Sequence, residues 1–185
     1  MSATPHGHED SRGQSIVEFA LILPLLLIMF LAVADLARVY TTMVTVESAA
    51  REAADFGAFN SRNWEGDPGD PTSNYAKTLE QMTERACVAA RNLPDYAGPD
   101  TGCSNPTIAV ELQEPDGSVG VNCDDETRPT PCRVVVTLTH DFHLIVPMSV
   151  TLFDVTVGFP PTMTFERTSI FAISDFIIDT AAPTP

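Results

Sequence analysis

The sequence predicts an α+β fold: a long N-terminal helix, part transmembrane and part amphipathic, then a second helix and a small antiparallel β-sheet domain. Three observations lead there. The run from Phe19 to Ala34, FALILPLLLIMFLAVA, contains no charged residue. Beyond it, apolar residues recur at three- and four-residue spacing as far as Ala54. From Thr107 onward, short β-branched stretches alternate with turn residues.

Composition narrows the function classes. The 185 residues carry 25 acidic against 10 basic side chains, a formal charge of −15. With hydrophobic residues at 44%, the chain can build a core, which excludes wholesale disorder. The length suits one domain with appendages. A chain this acidic is a poor nucleic-acid binder, because neutralising phosphates needs basic residues. Anionic lipid headgroups repel it too, so membrane attachment has to be hydrophobic.

Residues 16–34 form an apolar segment interrupted only by Glu18. As a helix they span about 28 Å, close to the ~30 Å hydrocarbon core of a bilayer. A core helix of a soluble protein would show a polar face, and this segment has none. A cleaved secretory signal is the other alternative, since Ala32-Val33-Ala34 is a small-x-small site. Against it stand Glu9 and Asp10 ahead of the run, Glu18 at its mouth, and a helical pattern that does not stop at Ala34. Leu36, Val39, Tyr40, Met43, Val46, Ala50, Ala53 and Ala54 form the expected inward stripe; Arg38, Glu52 and Asp55 fall opposite, with Arg51 beside them. One helix is therefore expected from about Ser15 to Phe56. Pro24 removes a backbone donor and should kink it, and Gly57 ends it. Arg12 on one side, and Asp35 with the acidic bulk on the other, place the N-terminus in the cytoplasm and the C-terminal domain outside.

The segment 58–71, rich in Gly, Asp, Asn and Pro, reads as a loop. A second helix is expected from Thr72 or Ser73 to about Asn92. Thr72 or Ser73 caps it, and Tyr75, Leu79, Met82, Ala86, Ala89, Ala90 and Leu93 face the first helix. Thr107–Gln113, a Pro115-Asp116-Gly117 turn and Ser118–Asn122 read as a hairpin. Arg133–Leu138 is a strand that runs on to Leu144–Val146, with a break near Asp141. Val150–Val157 and Met163–Phe176 are further strand-like stretches, separated by Gly158-Phe159-Pro160-Pro161. The extracytoplasmic α+β domain thus covers 58–180, and 181–185 (AAPTP) is a frayed tail.

Cys87, Cys103, Cys123 and Cys132 all follow the apolar segment, and an even count in a small exported domain points to disulfides. Three pairings are possible; Cys87–Cys103 and Cys123–Cys132 are favoured, because the second closes the DDETRPTP loop between strands and the first ties the end of the second helix to the following loop. Zinc is disfavoured, since no C-x-x-C or matching His spacing occurs. His140 and His143 in HDFH cannot share a strand face. Asp124-Asp125-Glu126 reads as a solvated acidic loop. No G-x-S-x-G, Walker A loop, H-E-x-x-H or Rossmann glycine set is present, so neither an enzyme nor a cofactor or metal is expected.

Gly13-Gln14-Ser15-Ile16-Val17-Glu18-Phe19 resembles a type IV prepilin processing site, and RGQSIVEFALILPLLLIMFLAVADLAR resembles the N-terminus of the TadE-like family, pilin-like (pseudopilin) components of tight-adherence (Flp) pilus systems. The matching positions are Gly13, Val17, Glu18, Phe19, Ala20, Leu21, Pro24 and Leu26. The acidic, His-containing leader departs from the usual basic one. The resemblance implies a leader at 1–13, cleavage by a prepilin peptidase between Gly13 and Gln14, and a mature helix over 14–57. Glu18, the fifth mature residue, would meet the freed amine of a neighbouring subunit, with Phe19 and Pro24 in the same assembly segment. It also implies membrane lipid, other pilin-like subunits and pilus assembly machinery as partners. Independently, a charge at the centre of a bilayer costs about 3 kcal/mol or more, so an acid bordering the hydrocarbon invites a functional reading.

Overall fold

The computed structural model describes residues 14–145, 149–152, 155–158 and 161–174, with Gln14 and the segments 149–152 and 155–158 described by their backbone alone. Gly13, the rest of the leader and the C-terminal tail lie outside the described residues.

Helix α1 runs unbroken from Gln14 to Gly57, 44 residues with Pro24 inside it, about 66 Å at the α-helical rise. Its two halves meet different surroundings. Residues 16–34 are almost wholly exposed, whereas the second half buries Val46, Ala49, Ala50, Ala53 and Ala54 against the rest of the chain. The small side chains let α2 and the sheet approach closely. Where α1 ends, a Cβ on Gly57 would lie 2.6 Å from Met82 Sδ and 3.2 Å from the Trp64 ring, so the Met82 side chain would have to shift to admit one. The carbonyl of Gly57 accepts the Trp64 indole N–H at 2.9 Å.

The buried stripe differs from the expected one. Leu36 and Tyr40 are each 68% exposed, while Asp35 and Thr42 are buried. The covered face is set by where the sheet sits, and it follows 35, 42, 46, 49 and 53 rather than the most hydrophobic positions. Arg38, expected on the outer face, is half-buried with its guanidinium 4.8 Å above the Phe142 ring.

The loop after α1 contains a short 3-10 turn, Ser61–Trp64, capped by Asn60. Helix α2 spans Asn74–Ala90, and its N-cap is Ser73, whose hydroxyl accepts the Ala76 N–H at 3.1 Å. Met82, Ala86, Ala90 and Leu93 enter the core, and Tyr75 meets Trp64 edge-on at 5.1 Å; Leu79 remains exposed, and Thr78 is buried instead, its hydroxyl donating to the Asn63 carbonyl.

Strands β1 (Thr107–Gln113), β2 (Arg133–His143) and β5 (Thr162–Ala172) form an antiparallel sheet in the order β1-β2-β5. Val134, Val136, Leu138, His140 and Phe142 of the central strand alternate into the core. Strands β3 (Ser149–Leu152) and β4 (Val155–Gly158) make a separate antiparallel ribbon. The architecture is α+β, with the sheet and α2 both packed on the second half of α1.

Three expectations about strands change. Residues 118–122 are not a strand: Gly117 turns the chain with φ +88°, only Gln113 and Val119 form a bridge, and Gly120 N–H donates to the Leu112 carbonyl before the chain leaves toward Cys123. Strand β2 does not break at Asp141, because that side chain lies on the outer face, where it accepts the Thr164 hydroxyl at 2.7 Å, and Asn105 clasps its backbone from both sides. The 150–157 stretch is two strands rather than one. Strand β5 ends at Ala172, and Val146, Asp175 and Phe176, expected at strand ends, fall outside the described residues.

Candidate functional site

The exposed half of α1 is what the rest of the fold presents. An 18-residue window in it has a mean hydropathy of 2.8 and none of it is buried, so the helix is long and apolar enough to cross a membrane. Leu21, Leu25, Met29 and Val33 are exposed along one side, and Ile22, Leu26 and Phe30 along another. Water does not tolerate such a surface over a length close to the hydrocarbon thickness of a bilayer.

The residues expected to act in processing and assembly sit at the start of this rod. Gln14 is its first residue; Glu18 and Phe19 lie one turn further and are exposed. Pro24 lies ten residues in, within a continuous helix. Gly13 lies outside the described residues, so the scissile bond has no described geometry.

At the other end of the apolar segment the domain is fastened to α1. Asp35 is only 6% exposed. Its Oδ1 accepts the backbone N–H of Ile145 at 3.2 Å and pairs with Arg38 Nη1 at 3.3 Å. Ser174 N–H donates to the Ala58 carbonyl at 2.9 Å near the opposite end. Strand β2 therefore runs back along α1 toward the apolar half, and the sheet reaches the level where that half begins. Hydropathy patterning does not reveal this clamp, since a lone Asp after an apolar run reads as a solvated boundary residue.

The cysteines form two disulfides, Cys87–Cys103 and Cys123–Cys132, with Cα separations of 5.6 and 5.5 Å. The second closes a loop held by an internal ion pair. Arg128 Nη2 donates to both carboxylate oxygens of Glu114 at 2.8 and 2.6 Å, and its Nη1 reaches the Val121 carbonyl. The Arg128 bonds, with the Val121 N–H, hold the Glu114 carboxyl below its ordinary pKa. Asp95 is likewise lowered, chiefly by the His143 backbone N–H it accepts at 2.8 Å.

His140 and His143 do point to opposite faces: His140 is fully buried, His143 exposed. Burial pushes the His140 pKa below its ordinary value, opposed by the Pro94 carbonyl and the charges of Asp95 and Asp141. Among the described residues no three His, Cys, Asp or Glu side chains cluster in a metal-holding arrangement. An open groove of about 830 Å³ lies between Trp64, Tyr75, Leu112 and Val119; its acids, Glu111 and Asp124, bring no histidine or nucleophile with them.

Among the described residues, fold and site together define an apolar helix able to cross a membrane and a disulfide-bonded α+β domain carried on its continuation. Residues 13–55 match the family model described as TadE-like protein, so this N-terminal segment is TadE-like. The match covers α1 almost to its end and stops short of α2 and the sheet. Neither a search of curated proteins nor one of solved structures returned a match. The apolar helix that this match covers is long enough to anchor the chain in a membrane.

Proposed function

We propose that this chain is a pilin-like subunit taking part in assembly of a tight-adherence (Flp-type) pilus. A prepilin peptidase cuts after Gly13. The segment 16–34 then holds the mature chain in the membrane, with the N-terminus cytoplasmic and the domain 58–180 extracytoplasmic. The observation that carries this reading is that the TadE-like match over 13–55 covers the whole segment that the fold leaves apolar and uncovered. Its chemistry is assembly rather than catalysis.

Glu18 has a defined task in this reading. Cleavage creates an α-amine on Gln14, and the Glu18 carboxylate of one subunit pairs with the amine of the next. In a low-dielectric surround such a pair is strongly favoured over leaving either charge alone. Phe19 and Pro24 shape the surface around that contact. The partners are other pilin-like subunits, the pilus assembly machinery, the peptidase and lipid.

The test is Glu18→Ala in cells that make the pilus system. Membrane insertion should be retained, while recovery of the chain with pilus components should fall severalfold. Unchanged co-purification would remove the assembly role of the carboxylate.

A further inference from the structure

The β3–β4 ribbon sits at a telling place in the fold. Strand β2 runs along α1 toward the apolar half and leaves the sheet after His143, and the next residues are fastened at the level of Asp35 by the Ile145–Asp35 bond. The return begins at the same level, where Leu144 N–H donates to the Pro161 carbonyl. The ribbon is thus inserted at the membrane-side end of the sheet, where the uncharged run of α1 ends.

Its sequence fits that place. Between Leu144 and Pro161 the chain carries a single charge, Asp154, in a protein of net charge −15. The register pairs Val150 with Val157 and Leu152 with Val155, and Ser149 with Gly158 and Thr151 with Thr156. Strand alternation then puts the first four residues on one face and Ser149, Thr151, Thr156 and Gly158 on the other. A two-stranded ribbon is marginally stable in water unless an apolar face is covered.

We propose that the β3–β4 ribbon is a second membrane contact, with Val150, Leu152, Val155 and Val157 set against the acyl–headgroup boundary of the bilayer that holds α1. The occupant is lipid: the ribbon is inserted at the level where the uncharged run of α1 ends, and the lack of basic residues calls for a zwitterionic surface met through hydrophobic contact. This rests on the reading of α1 as the membrane anchor.

The experiment places the full chain in phosphatidylcholine vesicles brominated on the acyl chains and measures quenching of introduced tryptophans. The native Trp64 lies beyond the far end of α1, about 33 Å of helix from Asp35, and supplies an unquenched baseline and a report on folding. Leu152→Trp should add emission that bromolipid quenches at least twofold, and Val157→Trp reads the same face should the first variant misfold. Thr151→Trp should be quenched less, and Val121→Trp, exposed at the distant end of the domain, not at all. Leu27→Trp reports the anchor itself. Quenching at Leu27→Trp without quenching at Leu152→Trp and Val157→Trp overturns the ribbon contact alone. No quenching at Leu27→Trp overturns the anchor and the ribbon together. Blue-shifted, unquenched emission from the ribbon that is lost on diluting the protein in lipid would mean a second copy covers it, and also overturns the proposal.

Discussion

Replacing Asp35 by alanine removes the acceptor that fastens the membrane-side end of the sheet to α1. Two of its interactions, among the described residues, set the scale of the loss. The part-buried Ile145 N–H at 3.2 Å loses a charged acceptor, and a bond to a charged group contributes about 1.5–3 kcal/mol. The pair with Arg38 adds less than about 1 kcal/mol, because the arginine side chain is 31% exposed and solvent screens it. Arg38 keeps its seat over Phe142, so its packing is not lost. The expected cost of Asp35→Ala is therefore about 2–3 kcal/mol. Asp35→Asn keeps an oxygen acceptor but not the charge, and should cost about 1 kcal/mol. Urea unfolding of the full chain in detergent micelles, followed by the single tryptophan, Trp64, measures both. Amide exchange at Ile145 should quicken in the alanine variant while amides at the centre of β2, such as Val136, change only by the global loss. An alanine variant as stable as wild type, with Ile145 equally protected, would refute the clamp.

Other perturbations follow from the same packing. Cys123→Ser with Cys132→Ser opens a loop of sequence separation 9 and should lower stability by about 2–3 kcal/mol on the chain-entropy model, measured by the same urea titration; no change would mean the Glu114–Arg128 pair alone orders that loop. His140 is buried and its pKa lies below the ordinary 6.5, so the unfolded chain takes up the proton first. That contribution to stability is complete above pH 6.5 and is lost progressively as pH falls below it, until the folded imidazole also protonates. Thermal unfolding of wild type should therefore show a midpoint that falls as pH drops below about 6.5, and His140→Leu should flatten that slope; an equal slope in both would contradict it.

Much of this fold could be read from periodicity and caps. The Gly57 stop set the C-terminal end of α1 to within a residue, and the Thr72-Ser73 pair marked the start of α2, which Ser73 caps. The cysteine spacing favoured the pairing that the structure shows. What escaped was whatever depends on the position of a distant element. Leu36 and Tyr40 have the right spacing and the right chemistry for a core stripe, yet the sheet covers the neighbouring face, where Asp35 and Thr42 stand. Asp141 looks like a strand breaker until Asn105, 36 residues away in sequence, braces its backbone. The Ser118–Asn122 alternation lacks a ladder because the chain is drawn off toward Cys123 and its disulfide. Glu18, Phe19 and Pro24 stand out in the sequence because they belong to a local pattern, and their assembly role is a proposal. The Asp35 clamp, which joins that pattern to the domain, was not, because its partner Ile145 is 110 residues away.

The most direct test of the membrane-anchored, pilin-like reading is N-terminal sequencing of the chain recovered from carbonate-washed membranes of cells that carry the prepilin peptidase. A start at Gln14, with the protein retained in the membrane pellet, is the expected result. A start at Met1, the mark of a plain single-pass anchored domain that never joins a fibre, or a start at Asp35, with the protein released as a soluble domain, would contradict it.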